Sequence, residues 1–218
     1  MRKYEDTWQH KGLRKKLVDL LREKGITDES VLEAMNNIPR HFFLDSAFDK
    51  ISYEDRAFPI AEGQTISQPY TVAYQSQLLQ VKKGDKIMEI GTGSVYQATV
   101  LAEMGARVFT IERQKKLYDL QKGYYFRNKY PNIRFFFGDG FEGLPAFAPF
   151  DKVIVTAAAP FIPPKLVEQL RPGGFLIIPL DEGGLQRMLR VTRQEDGSTI
   201  EEAFDLFSFV PMLTGKNQ

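Results

Sequence analysis

The chain has 218 residues, with 29 Lys and Arg set against 28 Asp and Glu, two His and no Cys. That balance excludes a broadly basic nucleic-acid coat, and the missing cysteines exclude disulfide staples, thiolate nucleophiles and Cys-based zinc sites. An apolar fraction of 43% with 26% charged residues is the mix of a soluble globular protein large enough for one substantial core.

The opening stretch MRKYEDTWQHKG is polar and mixed in charge, without the apolar core of a signal peptide. No apolar run approaches the roughly 20 residues that span a bilayer, so a reduced, cytoplasmic setting is expected. Leu13, Leu17, Leu20 and Leu21 recur at helical spacing, and Gly25 ends that segment. Thr27 or Asp28 caps a second short helix carrying Val31, Leu32 and Met35, which stops at Ile38-Pro39. Residues 41–70 look irregular, and a loop of that length inside a compact domain is often functional. From Pro69 the rhythm changes. A helix through Val72, Leu78 and Leu79 precedes the short apolar run 86–90, then Gly91-Thr92-Gly93 and a helix over 96–104. Strands are predicted at 107–111, 133–137, 152–156 and 174–179, with a charged amphipathic stretch to about Lys129 and a helix over 164–170. Residues 185–192 and 200–210, separated by Glu195-Asp196-Gly197-Ser198, read as a hairpin on one edge.

The pattern predicts an α/β fold: a doubly wound, mostly parallel seven-stranded sheet with helices on both faces, an antiparallel C-terminal hairpin and an N-terminal helical extension. Residues 1–218 read as one domain, 1–70 forming the extension and 71–218 a Rossmann-like core. With only His10 and His41 available, a multi-histidine metal site is not expected, and both are read as structural or surface groups. The Phe135-Phe136-Phe137 run is read as core rather than as a base-stacking surface.

In an open α/β sheet, ligands bind beyond the carboxyl ends of the strands, where the strand order reverses. Four predicted strand ends carry suitable groups. Glu89-Ile90-Gly91-Thr92-Gly93-Ser94 lets a ligand approach the backbone and the free N–H groups of the following helix. Glu112 lies about 20 residues past Gly91, the offset at which an acid accepts hydrogen bonds from ribose hydroxyls. Gly138-Asp139-Gly140 sets a short acid between glycines, where it meets a base edge, and Thr156-Ala157-Ala158-Ala159-Pro160 leaves a floor open for substrate. Each alone has a plainer reading, as a tight connection, a solvated acid or a turn. Their joint occurrence in this order is what favours a nucleoside. A dinucleotide would need Gly-x-Gly-x-x-Gly to make room for its pyrophosphate, and after Gly93 the chain runs Ser94-Val95-Tyr96-Gln97. A cofactor without phosphates, S-adenosyl-L-methionine, fits better: adenosine for Glu112 and Asp139, an amino-acid tail for residues 91–94.

Several stretches have a family likeness. They are Ile38-Pro39-Arg40-His41-Phe42-Phe43, Tyr53-Glu54-Asp55-Arg56, Gly63-Gln64-Thr65-Ile66-Ser67-Gln68-Pro69-Tyr70, the loop 89–94, residues 150–160, Arg171-Pro172-Gly173-Gly174 and Phe209-Val210-Pro211. Through them the chain resembles the protein-L-isoaspartate O-methyltransferase family over nearly its whole length. Glycine-rich loops occur in all class I methyltransferases; the stretch 63–70 is much more specific. The resemblance implies methyl transfer from S-adenosyl-L-methionine to the free α-carboxylate of an L-isoaspartyl residue in a damaged protein. The ester collapses to a succinimide and so initiates repair, with S-adenosyl-L-homocysteine as the other product and no metal. It implies Ser67 as the active-site serine, and Glu89, Gly91, Thr92, Gly93, Ser94, Glu112, Asp139 and Gly140 as cofactor-binding residues. Ile66, Gln68, Thr156, Ala157 and Ala158 are the implied substrate contacts. The implied partners are isoaspartyl peptides and proteins, without nucleic acid or membrane, and the expected state is a cytoplasmic monomer.

The chemistry suits these residues. A carboxylate of pKa near ~4 is ionised at neutral pH, so no strong general base is required and the lack of a catalytic His or Cys is no objection. Rate would come from aligning carboxylate oxygen, methyl carbon and sulfonium, and from excluding water. Ser67 would orient the attacking group while 41–70 closes over the site; its plainer reading is the N-cap of the helix that Pro69 begins. One departure stands out: the family loop reads Gly-Ser-Gly-Tyr, and Val95 stands at the last glycine. A β-branched residue disfavours positive φ, which leaves three outcomes: a tolerated change with the helix pushed back, weakened cofactor binding or a rearranged loop. The alternatives are a class I methyltransferase of a small-molecule carboxylate or hydroxyl compound, a cofactor-binding protein impaired by Val95, and an NAD-dependent oxidoreductase, the last disfavoured by the incomplete glycine pattern.

Overall fold

The first elements follow from caps and an apolar stripe. In the structure, a computed structural model that describes residues 4–217, helix α1 (Trp8–Glu23) begins at Thr7. The Thr7 hydroxyl accepts the His10 N–H and the His10 ring accepts the Thr7 N–H, a reciprocal cap. Residues 1–3 and 218 of the expected domain lie outside the described residues. Leu17, Val18 and Leu21 are buried, but Leu20 lies at the solvent edge of the stripe and Arg14 takes the fourth inward place. Its guanidinium is neutralised by Asp6 at 2.9 and 3.0 Å. Asp28 caps α2 (Glu29–Asn37) by accepting the Ser30 N–H, and Ile38 turns extended, as a residue before proline must. These helices share a core with Phe58, Ile66, Val72 and Tyr96.

The segment 40–68 holds short 3-10 turns and one ladder, β1 (Phe58–Pro59) antiparallel to β2 (Thr65–Ile66), too short to carry a periodicity. After α3 (Pro69–Leu79) the alternation sets in: β3 (Lys86–Ile90), α4 (Tyr96–Glu103), β4 (Arg107–Glu112), α5 (Lys115–Leu120), β5 (Ile133–Phe137), β6 (Phe150–Val155), α6 (Pro164–Glu168), β7 (Leu170–Asp181), β8 (Gln186–Arg193) and β9 (Thr199–Phe207). The seven-stranded sheet has the order β5-β4-β3-β6-β7-β8-β9, parallel from β5 to β7 and antiparallel across β7, β8 and β9. Its central strands are buried on both faces, which is why they read as continuous apolar runs, while the edge strand β9 is mostly exposed. Ile87, Val108 and Ile154 pack under α3 and α4, while Met88, Ile90, Val153 and Val155 pack on the side of Leu166 in α6.

Two stretches depart from the pattern reading. The amphipathic stretch after β4 is helical only to Leu120, because Tyr124 and Phe126 turn inward past Gly123 to pack on Phe42 and Phe43. Strand β7 begins at Leu170 rather than Gly174, pairing with Phe150 before a register shift. His41 is buried, and its ring stacks on His10 at 3.8 Å. With Asp6 the two bring three ligating groups within 4.8 Å of one another, but Asp6 is paired with Arg14 and His41 shares a hydrogen bond with the Tyr53 hydroxyl at 2.7 Å.

Candidate active site

From β3 the chain moves outward to β4 and β5, then crosses back to lay β6 on the other side of β3. The crevice of an open sheet lies at such a reversal, and a cleft opens here at the carboxyl ends of β3 and β6. Ile90, Gly91, Thr156 and Ala157 form its floor. Glu112 at the end of β4 and Gly140 after β5 stand on one side; Ile66, Ser67 and residues 210–213 close the others.

The loop after β3 takes three left-handed steps, at Gly91 (φ 96°), Gly93 (φ 49°) and Val95 (φ 73°). At Gly91 space adds a second demand, since a Cβ there would stand 2.6 Å from Thr156 Oγ1. That hydroxyl donates to the carbonyls of Ile90 and Gly91, at 2.9 and 2.8 Å, and so ties the end of β6 to the turn. At Gly140 a Cβ would meet Ile90 Cγ2 at 2.4 Å, so only glycine lets this turn pack so closely on the end of β3. Val95 occupies the conformation glycine favours, and α4 starts immediately after it. Its side chain is 5% exposed and faces a second cavity walled by Phe42, Phe43 and residues 124–126, leaving the cleft clear. The turn thus takes its left-handed step at Val95 with the valine side chain outside the cleft lining.

Glu112 is tied to the same loop. Its Oε2 accepts the Gly93 N–H at 3.0 Å and its Oε1 accepts the Gln114 N–H at 2.8 Å. Burial pushes this carboxyl above its ordinary range, against the N–H groups of Gln114, Gly93 and Arg113 that pull it down. A carboxylate has about four acceptor sites, so capacity remains for a vicinal diol. Glu89 is different. It is fully buried in β3 behind the cleft, and burial, opposed by the Thr110 hydroxyl and reinforced by the nearby Glu112 charge, pushes its pKa up to about 8.

Thus Gly91, Thr92, Gly93, Ser94, Glu112 and Gly140 come together around the cleft, while Glu89 and Asp139 stand outside its lining. Asp139 accepts the N–H groups of Phe141 at 2.9 Å and Gly215 at 2.6 Å, anchoring the C-terminal segment. Of the expected substrate contacts, Ile66, Thr156 and Ala157 line the cleft. Gln68 and Thr156 line an open groove that continues from it past Tyr70, Leu206 and Ser208. Ala158 is buried and holds the returning chain, donating to the Val210 carbonyl at 2.8 Å and accepting the Met212 N–H at 2.7 Å. Ser67 lies on the wall common to cleft and groove.

Ser67 is not a helix cap. Gln68 holds the position before α3, and Asp55 does the capping from a distance, accepting the Tyr70 N–H at 2.8 Å and the Gln68 side-chain amide at 3.1 Å. Asp55 and residues 210–213 are the parts of the site that pattern reading does not supply. Asp55, Val210 and Pro211 lie in stretches quoted for the family likeness, while Met212 and Leu213 fall just beyond the last of them.

Comparison with known proteins places this geometry. The family model described as protein-L-isoaspartate(D-aspartate) O-methyltransferase matches residues 12–218. The chain is 54% identical to the protein-L-isoaspartate O-methyltransferase of Flavobacterium johnsoniae, covering 98% of this chain and all of that one. It is 52% identical to that of Cytophaga hutchinsonii, over 98% of this chain and 96% of the other. Among solved structures, a Plasmodium falciparum chain described as a protein-L-isoaspartate O-methyltransferase in complex with S-adenosyl-L-homocysteine superposes with a TM-score of 0.78 at 27% identity, covering 92% of this chain and 98% of that one.

Proposed function

Because the chain belongs to the protein-L-isoaspartate(D-aspartate) O-methyltransferase family, we infer that it transfers a methyl group from S-adenosyl-L-methionine to the free α-carboxylate of L-isoaspartyl residues in damaged proteins. The observation that carries this reading is the place of Ser67, on the lining common to the cleft at the ends of β3 and β6 and the groove that continues past Tyr70. When bound, the cofactor supplies an electrophilic methyl group on its sulfonium, leaving as S-adenosyl-L-homocysteine. The cradle fits it. Glu112 has acceptor sites left for ribose hydroxyls, Gly140 brings backbone to the cleft lining next to Asp139, and the glycine steps at 91–94 present backbone to an amino-acid tail.

The residues of this chain then have separable tasks. Ser67 donates a hydrogen bond to the acceptor carboxylate and fixes its direction. Ile66, Gln68, Thr156 and Ala157 flank the peptide, and Ala158 acts indirectly by holding residues 210–212 against the site. The attacking carboxylate is already ionised, so alignment and exclusion of water supply the rate. Glu89 keeps a proton behind the loop rather than touching the cofactor. The groove running on from the cleft past Gln68, Tyr70 and Leu206 has room for chain flanking the acceptor, which favours a polypeptide.

The reading takes residues 1–218 as one catalytic domain working as a cytoplasmic monomer on protein substrates, without metal, nucleic acid or membrane. Among the described residues no helix is long and apolar enough to cross a membrane. The test is methyl transfer from a labelled donor to an isoaspartyl peptide and to its aspartyl isomer. Label is expected in the first alone. No label in either, with S-adenosyl-L-homocysteine still bound, would sink the reading.

A further inference from the structure

Arg40 is the largest side chain buried to 0% exposure, and among the described residues no carboxylate lies within ion-pair distance of it. Its Nε donates to the Ser52 carbonyl at 3.1 Å and its Nη2 to the Ser67 carbonyl at 2.8 Å. The guanidinium carbon sits over the Tyr96 ring, 4.9 Å from its centre, and Nη1 has no partner. Burying a cation with no carboxylate in contact, only Asp55 nearby, is costly, and tying two carbonyls together could be done by a neutral amide. What the guanidinium adds is a rigid fork with an aromatic seat.

The three groups it joins belong to different parts of the site. Ser52 and Ser67 bracket the segment that folds over the cleft, and Ser67 sits where cleft and groove meet. Tyr96 is the first residue of α4, directly after the cofactor loop, and it lines the cleft as well. Arg40 thus spans the acceptor side and the cofactor side with one planar group. In an alignment-driven transfer an error of about 1 Å costs on the order of 10²-fold in rate, so the span matters to chemistry more than to folding.

We propose that Arg40 is a positioning residue for methyl transfer, setting the direction of the Ser67 hydroxyl by gripping the Ser67 carbonyl while seated on Tyr96. This rests on the reading of Ser67 given above. It places no new group on the substrate: Arg40 acts through Ser67.

The experiment is a double-mutant cycle with Arg40→Gln and Ser67→Ala, reading kcat and KM for an isoaspartyl peptide together with S-adenosyl-L-homocysteine affinity. Arg40→Gln is expected to lower kcat by about 30-fold with cofactor affinity within about twofold of wild type. In the Ser67→Ala background, where there is no hydroxyl left to aim, the same change is expected to cost less than about threefold. Arg40→Lys keeps the charge but not the fork, and a loss of about tenfold is expected; it carries the test if Arg40→Gln does not fold. Multiplying losses in the double variant, or cofactor affinity falling in step with kcat, would mean a general structural role and overturn the proposal. Wild-type turnover in Arg40→Gln would overturn it while leaving Ser67 in place. Wild-type turnover in Ser67→Ala alone would remove the reading of Ser67 and this proposal with it.

Discussion

The cofactor side and the acceptor side of the cleft are built by different means. Residues 86–95 are set by the register of a parallel sheet: β3 is paired on both flanks, and its turn is fastened to β6 by Thr156 and to β4 by Glu112. Residues 40–68 contain little regular structure, and side chains from distant positions hold them: Arg40 on the carbonyls of Ser52 and Ser67, Asp55 on the start of α3, Lys24 on Asp55 at 2.6 Å. A sheet edge gives a fixed platform for a cofactor. A segment held by a few polar contacts gives a wall that fits a peptide and excludes water once closed. The difference teaches that cofactor affinity and methyl transfer can be perturbed separately.

The largest break in that comparison is expected at Ser67. Ser67→Ala should lower kcat on isoaspartyl peptide by about 10²-fold and leave S-adenosyl-L-homocysteine affinity within about twofold, by steady-state kinetics and calorimetry. Equal losses in both would mean that the two sides are one unit.

Next comes Glu89, which tests the platform itself. A carboxyl whose pKa is raised by folding keeps its proton where the unfolded chain has released it, so stability is lost as pH climbs from the ordinary carboxylate range to about 8. Glu89→Gln removes that loss. It should stabilise the protein by roughly 2 kcal/mol or more at pH 8 and by little at pH 5, read from denaturant midpoints. A gain independent of pH would place the buried carboxyl in a different state.

Glu112→Gln should weaken S-adenosyl-L-homocysteine binding by about tenfold, the cost of making charge-assisted acceptors neutral, with kcat at saturating donor changed much less. Binding at wild-type strength would detach Glu112 from the cofactor.

The smallest effect is expected at Val95. Its left-handed backbone costs about 1–2 kcal/mol, and its buried side chain returns about 1.5 kcal/mol or more. Val95→Gly should therefore move stability by less than about 1 kcal/mol and cofactor affinity by less than about threefold. A tenfold gain in affinity would show that the valine does crowd the cleft.

Much of this was legible in the sequence, for a physical reason. Parallel strands buried on both faces leave apolar runs, so β3 and β5 are placed to the residue, and a turn needing positive φ leaves glycines at 91 and 93. What was not legible depends on partners far along the chain. Arg40 meets Ser67 across 27 residues and Asp55 meets Tyr70 across 15, and nothing local marks either as a support. The C-terminal return against Ala158 has the same origin, as does the early end of α5, where burial of two aromatics overrides a helical pattern. Leu20 and Arg14 exchange the places that apolarity alone would give them, because Asp6 waits for the guanidinium.

The most direct test of the account uses one peptide carrying both an isoaspartyl and an aspartyl residue, incubated with the protein and S-adenosyl-L-methionine and mapped by tandem mass spectrometry at mildly acidic pH, where the ester persists. The account predicts a single methyl group on the α-carboxylate of the isoaspartyl residue. Methyl on the aspartyl side chain as well, or none on either while the donor still binds, would contradict it.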